Sequence, residues 1–145
     1  MKQIILPETY RGEKSLELTG SQFHHVIRVL RVREGDMFKG LGGNGIRYIF
    51  RVGLVTKDTC HLELLEEKKQ QSIYPPITLY QCLPKGRKMD TIVRQATELG
   101  VGRIVPVVSR YSIPKSDWSD AKKERLSRIA EEAVQQSDAS SVPCI

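Results

Sequence analysis

The chain has 145 residues, enough for one medium domain or two small ones. Its composition, 39% hydrophobic and 28% charged, is ordinary for a soluble globular protein and too apolar for a disordered one. The formal net charge of +6 is shared evenly, since residues 1–72 hold 12 Lys and Arg against 9 Asp and Glu, and residues 73–145 hold 11 against 8. Because there is no basic tail, the charge belongs to folded surfaces, and a nucleic-acid partner and a merely soluble surface are about equally supported.

Cysteine usage and hydropathy exclude several classes of protein. The three cysteines, Cys60, Cys82 and Cys144, are odd in number and widely spaced, which disfavours a zinc site or a disulfide framework. No apolar run approaches the roughly 18 residues that span a membrane, and residues 1–7 have too short an apolar core for a signal peptide. We therefore expect a cytoplasmic protein with no membrane partner and no metal.

Residues 1–72 are predicted to form mainly strands around one helix. Strand candidates at residues 3–6 and 15–18 come first. A helix follows, because apolar side chains recur at three- and four-residue steps, and its stripe consists of Phe23, Val26, Ile27 and Leu30. Arg28 and Arg31 lie off that stripe, so we expect them to reach solvent or a partner.

A glycine-rich hairpin is predicted at residues 42–45, between strands at 37–41 and 47–54. Alternation in the second of these strands gives one apolar face, made of Tyr48, Phe50, Val52 and Leu54. The nearby glycines are interpreted as hairpin residues and not as a dinucleotide fingerprint, because no helix follows them; they are Gly40, Gly42, Gly43 and Gly45. With a further strand at 60–65, the pattern indicates a small, partly closed β-barrel.

A polar run at residues 66–72 is interpreted as a linker, which gives two domains at 1–72 and 73–145. The second begins with an apolar strand at 79–83, a basic loop, a helix and a strand at 103–109, so we expect a parallel strand pair of an α/β domain. The helix carries a stripe made of Met89, Ile92, Val93, Ala96 and Leu99. Gly100 stands where a left-handed C-cap is needed.

An irregular connection at residues 110–120 leads to a second predicted helix. Its stripe consists of Leu126, Ile129, Ala130, Ala133 and Val134. Residues 142–145 then have the pattern of the first residues of another strand. Two or three strands leave a parallel sheet poorly covered, so we expect only part of an α/β domain.

Local patterns give weak chemical signals. His24 and His25 are poorly placed to bind one metal ion together, because the side chains of neighbouring helical residues point about 100° apart. We expect one of the two histidines to be packed and the other to face solvent. The loop at residues 84–88, Pro-Lys-Gly-Arg-Lys, is about as consistent with phosphate contact as with a solvated turn. Asp90 and Glu98 are explained more simply as a dipole-matched and a surface carboxylate than as an acid pair. No catalytic residue can be assigned from spacing.

Three blocks of sequence, taken together, carry a family resemblance. They are residues 23–31 (FHHVIRVLR) with 34–36; residues 83–90 (LPKGRKMD) with 96–101 and 104–106; and residues 128–133 (RIAEEA) with 136–137 and 142–143. In this order they resemble the RsmE-type ribosomal RNA methyltransferases, and they cover nearly the whole chain.

The resemblance implies a PUA-like β-barrel followed by the first half of a SPOUT-class α/β domain, which is Rossmann-like and knotted when complete. It implies S-adenosylmethionine-dependent methylation of a uracil N3 in 16S ribosomal RNA, or in the small ribosomal subunit, by a homodimer. The N3 proton must leave before the nitrogen attacks the sulfonium methyl, so such a protein positions the base and assists proton loss. The candidates for RNA contact are His25, Arg28 and Arg31 on the barrel helix, with Lys85, Arg87 and Lys88 on the loop.

Two departures from the family pattern limit this reading. The family's cofactor pocket is formed by a carboxy-terminal knot with a Gly-Pro-Glu-Gly-Gly-type loop and a Leu-Gly-x-x-Ile-Leu-Arg-type loop, and neither occurs before Ile145. We therefore expect no cofactor-binding residue in this chain and no binding of S-adenosylmethionine by it. The family's Gln-Ser-Gly-Arg is also changed, because Asp138 and Ala139 stand in place of the Gly and the Arg.

The sequence thus favours an RsmE-like methyltransferase, represented by its RNA-binding domain and part of its catalytic domain. A non-catalytic RNA-binding protein with a degenerate methyltransferase remnant is the alternative. A structural protein with no RNA role is the third reading, and it predicts no binding to ribosomal RNA at low salt.

Overall fold

A computed structural model of the chain describes residues 3–43, 45–69, 75–110, 118–137 and 139–145. The chain divides into two compact units, Met1–Gln70 and Gln71–Ile145, called unit 1 and unit 2 below. No helix among the described residues is both long enough and apolar enough to cross a membrane.

The described residues of unit 1 form five strands and one short helical segment. Their bounds are β1 (Gln3–Ile5), β2 (Ser15–Thr19), α1 (Gly20–His24), a π-helical turn (His25–Val29), β3 (Met37–Leu41), β4 (Ile46–Val55) and β5 (Thr59–Lys69). The strands form one curled sheet in the order β1-β3-β4-β5-β2, in which β1 and β3 are parallel and the other pairs antiparallel. The predicted hairpin joins β3 to β4, and Gly45 has a positive φ of 73° there.

The apolar face of β4 follows the prediction up to Val52. Tyr48, Phe50 and Val52 are fully buried, but the prediction for Leu54 is wrong, since this residue is 62% exposed. The pairing of β4 with β5 shifts register between Val52 and Val55, and such a bulge inserts an extra residue that reverses the alternation of faces. Val55 packs against the core in place of Leu54.

The predicted linker is wrong over its first four residues. Residues 66–69 are the end of β5, and they pair with residues 46–49 of β4, for example Glu67 opposite Tyr48. Their charged side chains face solvent while the backbone continues the ladder, so a polar run here extends a strand. The remaining residues of the predicted linker, 70–72, lie outside the described part of the chain.

Gly40 is not a hairpin residue as predicted, because it lies inside β3, opposite Ile4 on one side and Tyr48 on the other. An added Cβ would come within 2.8 Å of Leu6 Cδ2 and of Phe50 Cε2. This position therefore requires the absence of a side chain.

Unit 2 contains the predicted strand–helix–strand arrangement. Its described elements are β6 (Thr78–Cys82), α2 (Lys88–Glu98), β7 (Arg103–Val107) and α3 (Asp120–Gln136). β6 and β7 pair in parallel, as predicted. Cys144 forms a parallel bridge to Arg103, and its carbonyl accepts a hydrogen bond of 2.9 Å from the Ile104 N–H. Residues 142–145 thus pair beside β7, where a further strand was predicted, but they form this single bridge and no strand.

The carboxyl end of α2 is closed by Gly100, whose φ is 81°. The Gly100 N–H donates to the Thr97 carbonyl (2.9 Å) and the Val101 N–H to the Ala96 carbonyl (3.0 Å), the hydrogen-bond pair of a Schellman motif. The prediction for Leu99 is wrong, since it is 82% exposed. The reversal at Gly100 returns Val101 to the core instead.

The two helices of unit 2 pack through the predicted stripes. Met89, Val93 and Ala96 of α2 share one core cluster with Leu126 and Ala130 of α3. The predicted connection at 110–120 falls mostly on residues 111–117, which lie outside the described part of the chain.

Candidate nucleic-acid interface

The helical segment of unit 1 changes its geometry at the histidine pair. α1 ends at His24, and the following turn is π-helical, with the Leu30 N–H donating to the His25 carbonyl at 2.9 Å. Single π-helical turns are rare and often occur at functional sites. Phe23 and Val26 are buried nevertheless, so the predicted apolar stripe is preserved.

The chain leaves this turn through a left-handed residue. Arg31 has φ of 52° and is the non-glycine residue with positive φ among those described. This conformation costs about 1–2 kcal/mol for a residue with a Cβ. Arg31 is exposed, whereas the next residue, Val32, returns to the core.

The two histidines have different surroundings, as predicted. His24 is exposed, whereas His25 is partly buried. The Nε2 atom of His25 is buried without a hydrogen-bond partner. His25 therefore faces the interior more than its neighbour does.

A groove of about 320 Å³ lies beside the exposed face of this segment. It is lined by residues from two places in unit 1, namely Gly20, Phe23, His24, Arg28, Lys57 and Asp58. His24 and Arg28 are four positions apart along the helical segment and so project to the same side. We call this cavity the helix–turn groove.

The turn that supplies Lys57 and Asp58 connects β4 to β5 and is held by its two threonines. The Thr56 N–H donates to the Thr59 carbonyl (2.9 Å), and the Thr59 N–H donates to Thr56 Oγ1 (3.0 Å). The two hydroxyls lie 2.9 Å apart. These bonds hold the turn without using the side chains of Lys57 and Asp58. Both side chains therefore remain available to a ligand in the groove.

The charged groups of the helix–turn groove are available to a ligand. Within the described part of the chain, the side chains of Arg28, Lys57, His24 and Asp58 form no hydrogen bond or ion pair. Two fixed cations and one anion leave the groove with a formal charge of +1 when the histidine is neutral. Such a surface attracts phosphate.

The predicted contact residues are distributed unevenly around the groove. Arg28 lines it, Arg31 is exposed outside its lining, and His25 is also outside its lining. Lys57 and Asp58 were missed by sequence reasoning because they lie about thirty residues from Arg28. The polar Thr-Lys-Asp-Thr run between two predicted strands was the signal of a turn, but it did not indicate what the turn faces.

The basic loop of unit 2 is solvent-facing. Lys85, Arg87 and Lys88 are all exposed at the start of α2, and Gly86 has φ of 71°. No side chain caps the helix amino terminus. The three cations therefore remain available, but none of them lines a described cavity.

A small cavity of about 30 Å³ lies next to this loop. It is lined by Leu83, Pro84, Gly86, Met89, Trp118, Lys122, Arg125 and Leu126. That volume is close to the space one water molecule occupies. Nearby, Arg125 donates to Asp90 Oδ1 at 2.8 Å, so Asp90 joins α3 to α2.

The structure adds little on the remaining sequence signals. Among the residues described, no group of three or more His, Cys, Asp or Glu side chains is placed to hold a metal ion. Of the two residues that depart from the family pattern, Asp138 lies outside the described residues, whereas Ala139 is buried.

Two family models match the chain: an RNA methyltransferase domain over residues 70–145 and an RNA methyltransferase PUA domain over residues 18–65. The curled sheet of unit 1 and the parallel α/β arrangement of unit 2 define a PUA-like domain followed by a SPOUT methyltransferase fold. The first model covers more than half of the chain. The chain belongs to the RsmE family of RNA methyltransferases.

Individual relatives agree with this assignment. The ribosomal RNA small subunit methyltransferase E of Synechocystis is 37% identical over 143 residues, which are 97% of this chain and 45% of that protein. The Bacillus subtilis protein of the same name is 32% identical over 132 residues, 89% of this chain and 52% of that one. The Neisseria gonorrhoeae enzyme, whose crystal structure contains S-adenosyl methionine, has a TM-score of 0.81 at 28% identity, covering 100% of this chain and 61% of that chain. The chain spans about half the length of these two curated relatives.

Proposed function

We propose that the chain is the RNA-binding domain and part of the catalytic domain of an enzyme that methylates a uracil N3 in 16S ribosomal RNA. The observation that carries the proposal is the helix–turn groove, whose cations are unpaired in a chain of the RsmE family. Relatives named for the small ribosomal subunit support the substrate class. The complete protein is proposed to act on 16S ribosomal RNA or the small subunit as a cytoplasmic homodimer. The free cysteines of this chain, Cys60, Cys82 and Cys144, accord with a reducing compartment.

The groove is proposed to grip the RNA backbone. Arg28 and Lys57 would each approach a phosphate from a different element, which fixes the position of the strand on unit 1. His25 and Arg31 are kept as further candidates on the same segment. Lys85, Arg87 and Lys88 are proposed as a second, separate phosphate contact on unit 2.

S-adenosylmethionine is proposed as the methyl donor of the complete enzyme, as the cofactor in the crystal structure of the Neisseria relative suggests. The described cavities do not fit it. The cavity beside the basic loop has about 30 Å³, room for about one water molecule, and the helix–turn groove presents two cations to a cofactor that itself carries a positive sulfonium. We therefore derive no catalytic step from these residues, and the base that removes the N3 proton is left unassigned.

Filter binding of the chain to 16S ribosomal RNA at several salt concentrations tests the RNA-binding role. The double variant Arg28→Ala/Lys57→Ala is expected to bind more weakly. Its negative slope of log K against log salt is expected to decrease in magnitude by roughly 1.4, about 0.7 for each lost phosphate contact on a single strand. The variant Lys14→Ala/Arg51→Ala is the matched control, because it removes two exposed cations of unit 1 outside the groove. Equal slopes for the two variants would remove the groove from the RNA interface.

A second measurement separates enzyme from binding module. Nucleoside mass spectrometry of unmodified 16S ribosomal RNA, incubated with S-adenosylmethionine and the complete product of the gene, is expected to reveal 3-methyluridine. RNA binding without any methylated nucleoside would favour the non-catalytic alternative.

A further inference from the structure

We propose that the helix–turn groove binds one unpaired guanine nucleotide, with its phosphate on Arg28 and Lys57 and its base edge on the Asp58 carboxylate. This inference rests on the proposed function, because it takes RNA as the ligand of the groove. It adds which kind of RNA the groove accepts and which base it selects.

The size of the groove favours a single nucleotide over a duplex. Its volume of about 320 Å³ is at the lower end of the range for small-molecule sites. Bases of a duplex are stacked and paired, whereas sequence-specific RNA recognition uses unpaired bases that can leave the stack and enter such a site. The groove therefore selects a loop, a bulge or a single strand.

Part of the groove lining is apolar and suits the flat face of a base. Phe23 is one of the lining residues and has 8% of its surface exposed, so it offers a small apolar area and remains anchored in the core of unit 1. Gly20 borders the same groove and has no heavy atom within 4 Å of the position where a Cβ would stand. The backbone can therefore be approached closely by a ring.

Asp58 is the feature that a purely electrostatic groove does not explain. A carboxylate beside Arg28 and Lys57 weakens the attraction for phosphate, yet it forms no ion pair with either of them. An ionised carboxylate is an acceptor only, with two oxygens side by side. A ligand that binds it must supply donors: the phosphate oxygens of the backbone have none and a ribose 2′-OH has one, whereas a base edge can present two N–H donors side by side.

Guanine matches this acceptor best among the four bases. Its Watson–Crick edge carries two adjacent donors, N1–H and the N2 amino group, which can bond both carboxylate oxygens at once. Adenine and cytosine each offer one amino donor next to an acceptor nitrogen, and uracil offers one N3–H between two carbonyl oxygens, so none of them presents two adjacent donor groups to a carboxylate. Two parallel charge-assisted hydrogen bonds are also stronger and more specific than one.

The test uses short single-stranded RNAs with one guanosine in a uridine background, and matched RNAs in which inosine replaces it. Inosine lacks the N2 amino group and leaves the backbone unchanged. For the unchanged chain we expect fluorescence anisotropy to give tighter binding to the guanosine RNA by roughly ten- to hundredfold, because the inosine RNA keeps N1–H and loses one hydrogen bond to a charged group.

The variant Asp58→Asn removes the paired acceptor without removing any side-chain hydrogen bond of the described fold. It is expected to abolish the preference for guanosine over inosine. The variant Glu8→Gln changes the net charge equally at an exposed position outside the groove and is expected to keep the preference.

Three outcomes would overturn the inference: no guanosine preference in the unchanged chain, Asp58→Asn strengthening binding to both RNAs equally, or a duplex binding as well as the single strand. In each of these cases the proposed function still stands if the chain binds 16S ribosomal RNA and that binding depends on Arg28 and Lys57. If the unchanged chain bound no RNA at all, the result would contradict both the guanine inference and the proposed function.

Discussion

The close packing around Gly40 makes Gly40→Ala a sharp test of the unit 1 core. An alanine Cβ at this position would stand 2.8 Å from Leu6 Cδ2, 2.8 Å from Phe50 Cε2 and 2.9 Å from Leu6 Cδ1. Both neighbours are buried, so neither can turn its contacting atoms toward solvent. The strand β3, which joins β1 to β4, must therefore shift or the core must repack.

The size of the effect follows from two opposing contributions. Forcing one extra methyl group into a packed core costs about 1–3 kcal/mol. Replacing glycine by alanine also reduces the freedom of the unfolded chain, which returns roughly 0.4–1 kcal/mol where the backbone conformation suits alanine. We therefore expect a net loss of about 1–2 kcal/mol in the free energy of unfolding of unit 1.

Hydrogen exchange followed by mass spectrometry measures this loss in unit 1 peptides, with unit 2 peptides as the internal control. The matched variant is Gly43→Ala, because no heavy atom lies within 4 Å of its Cβ position and its φ is not in the left-handed region. In the Gly43→Ala variant, the unit 1 amides are expected to be at least as well protected from hydrogen exchange as in the unchanged chain. Equal protection in the two variants would refute the packing described around β3.

Three further predictions concern unit 2, the cysteines and the tyrosines. Gly100→Ala is expected to lower the free energy of unfolding of unit 2 by about 1–2 kcal/mol, because Gly100 has a left-handed φ of 81° that alanine disfavours, although a Cβ there meets no other atom. The control Gly102→Ala is expected to have little effect, and unfolding curves followed by Trp118 fluorescence will compare the two variants. Cys82 and Cys144 are exposed and should react with Ellman's reagent in the folded chain, whereas burial raises the pKa of the Cys60 thiol and Cys60 should react only after denaturation. Burial, followed by the charges of Tyr48, Glu13 and Glu67, raises the pKa of Tyr10 from 10.0 to about 12. The contribution of the protonated Tyr10 phenol to folding stability is thus complete below pH 10 and is lost as the pH rises through about 12. An ultraviolet titration should show this late ionisation in the unchanged chain but not in Tyr10→Phe.

The repeating patterns of the sequence were sufficient to predict the elements and their order. Phe23 and Val26 identified a helical stripe although the turn proved to be π-helical, and Ile27 and Leu30 of the same stripe still pack against the core. The parallel pair of β6 and β7 followed from the helix between them. Gly100 was a correct stop signal because a left-handed residue is needed there.

The errors arose where tertiary pairing overrides a local pattern. Leu54 was placed on the wrong face because the β4–β5 bulge depends on the partner strand and not on β4 itself. Leu99 fits the spacing of the α2 stripe, but the turn after it allows Val101 to take its place. Residues 66–69 read as a linker because their side chains are charged, although their backbone has a partner in β4.

The candidate site was less accessible from sequence than the fold. Arg28 was selected because it lies off an apolar stripe, and the structure places it in the groove lining. Lys57 and Asp58 come from a distant turn, and nothing in their local sequence indicates which helix they face. The folded structure is needed to see that Arg28 and this distant turn line the same groove.

A two-dimensional nitrogen–proton NMR titration of the chain with a single-stranded, guanosine-containing RNA tests most directly where RNA binds. We predict that the largest shifts of backbone amide signals in unit 1 fall on the lining of the helix–turn groove, at Gly20, His24, Arg28, Lys57 and Asp58. Amide shifts in unit 1 confined to residues away from this lining, or saturable RNA binding with no shift in unit 1 at all, would contradict the assignment of the groove as the RNA site.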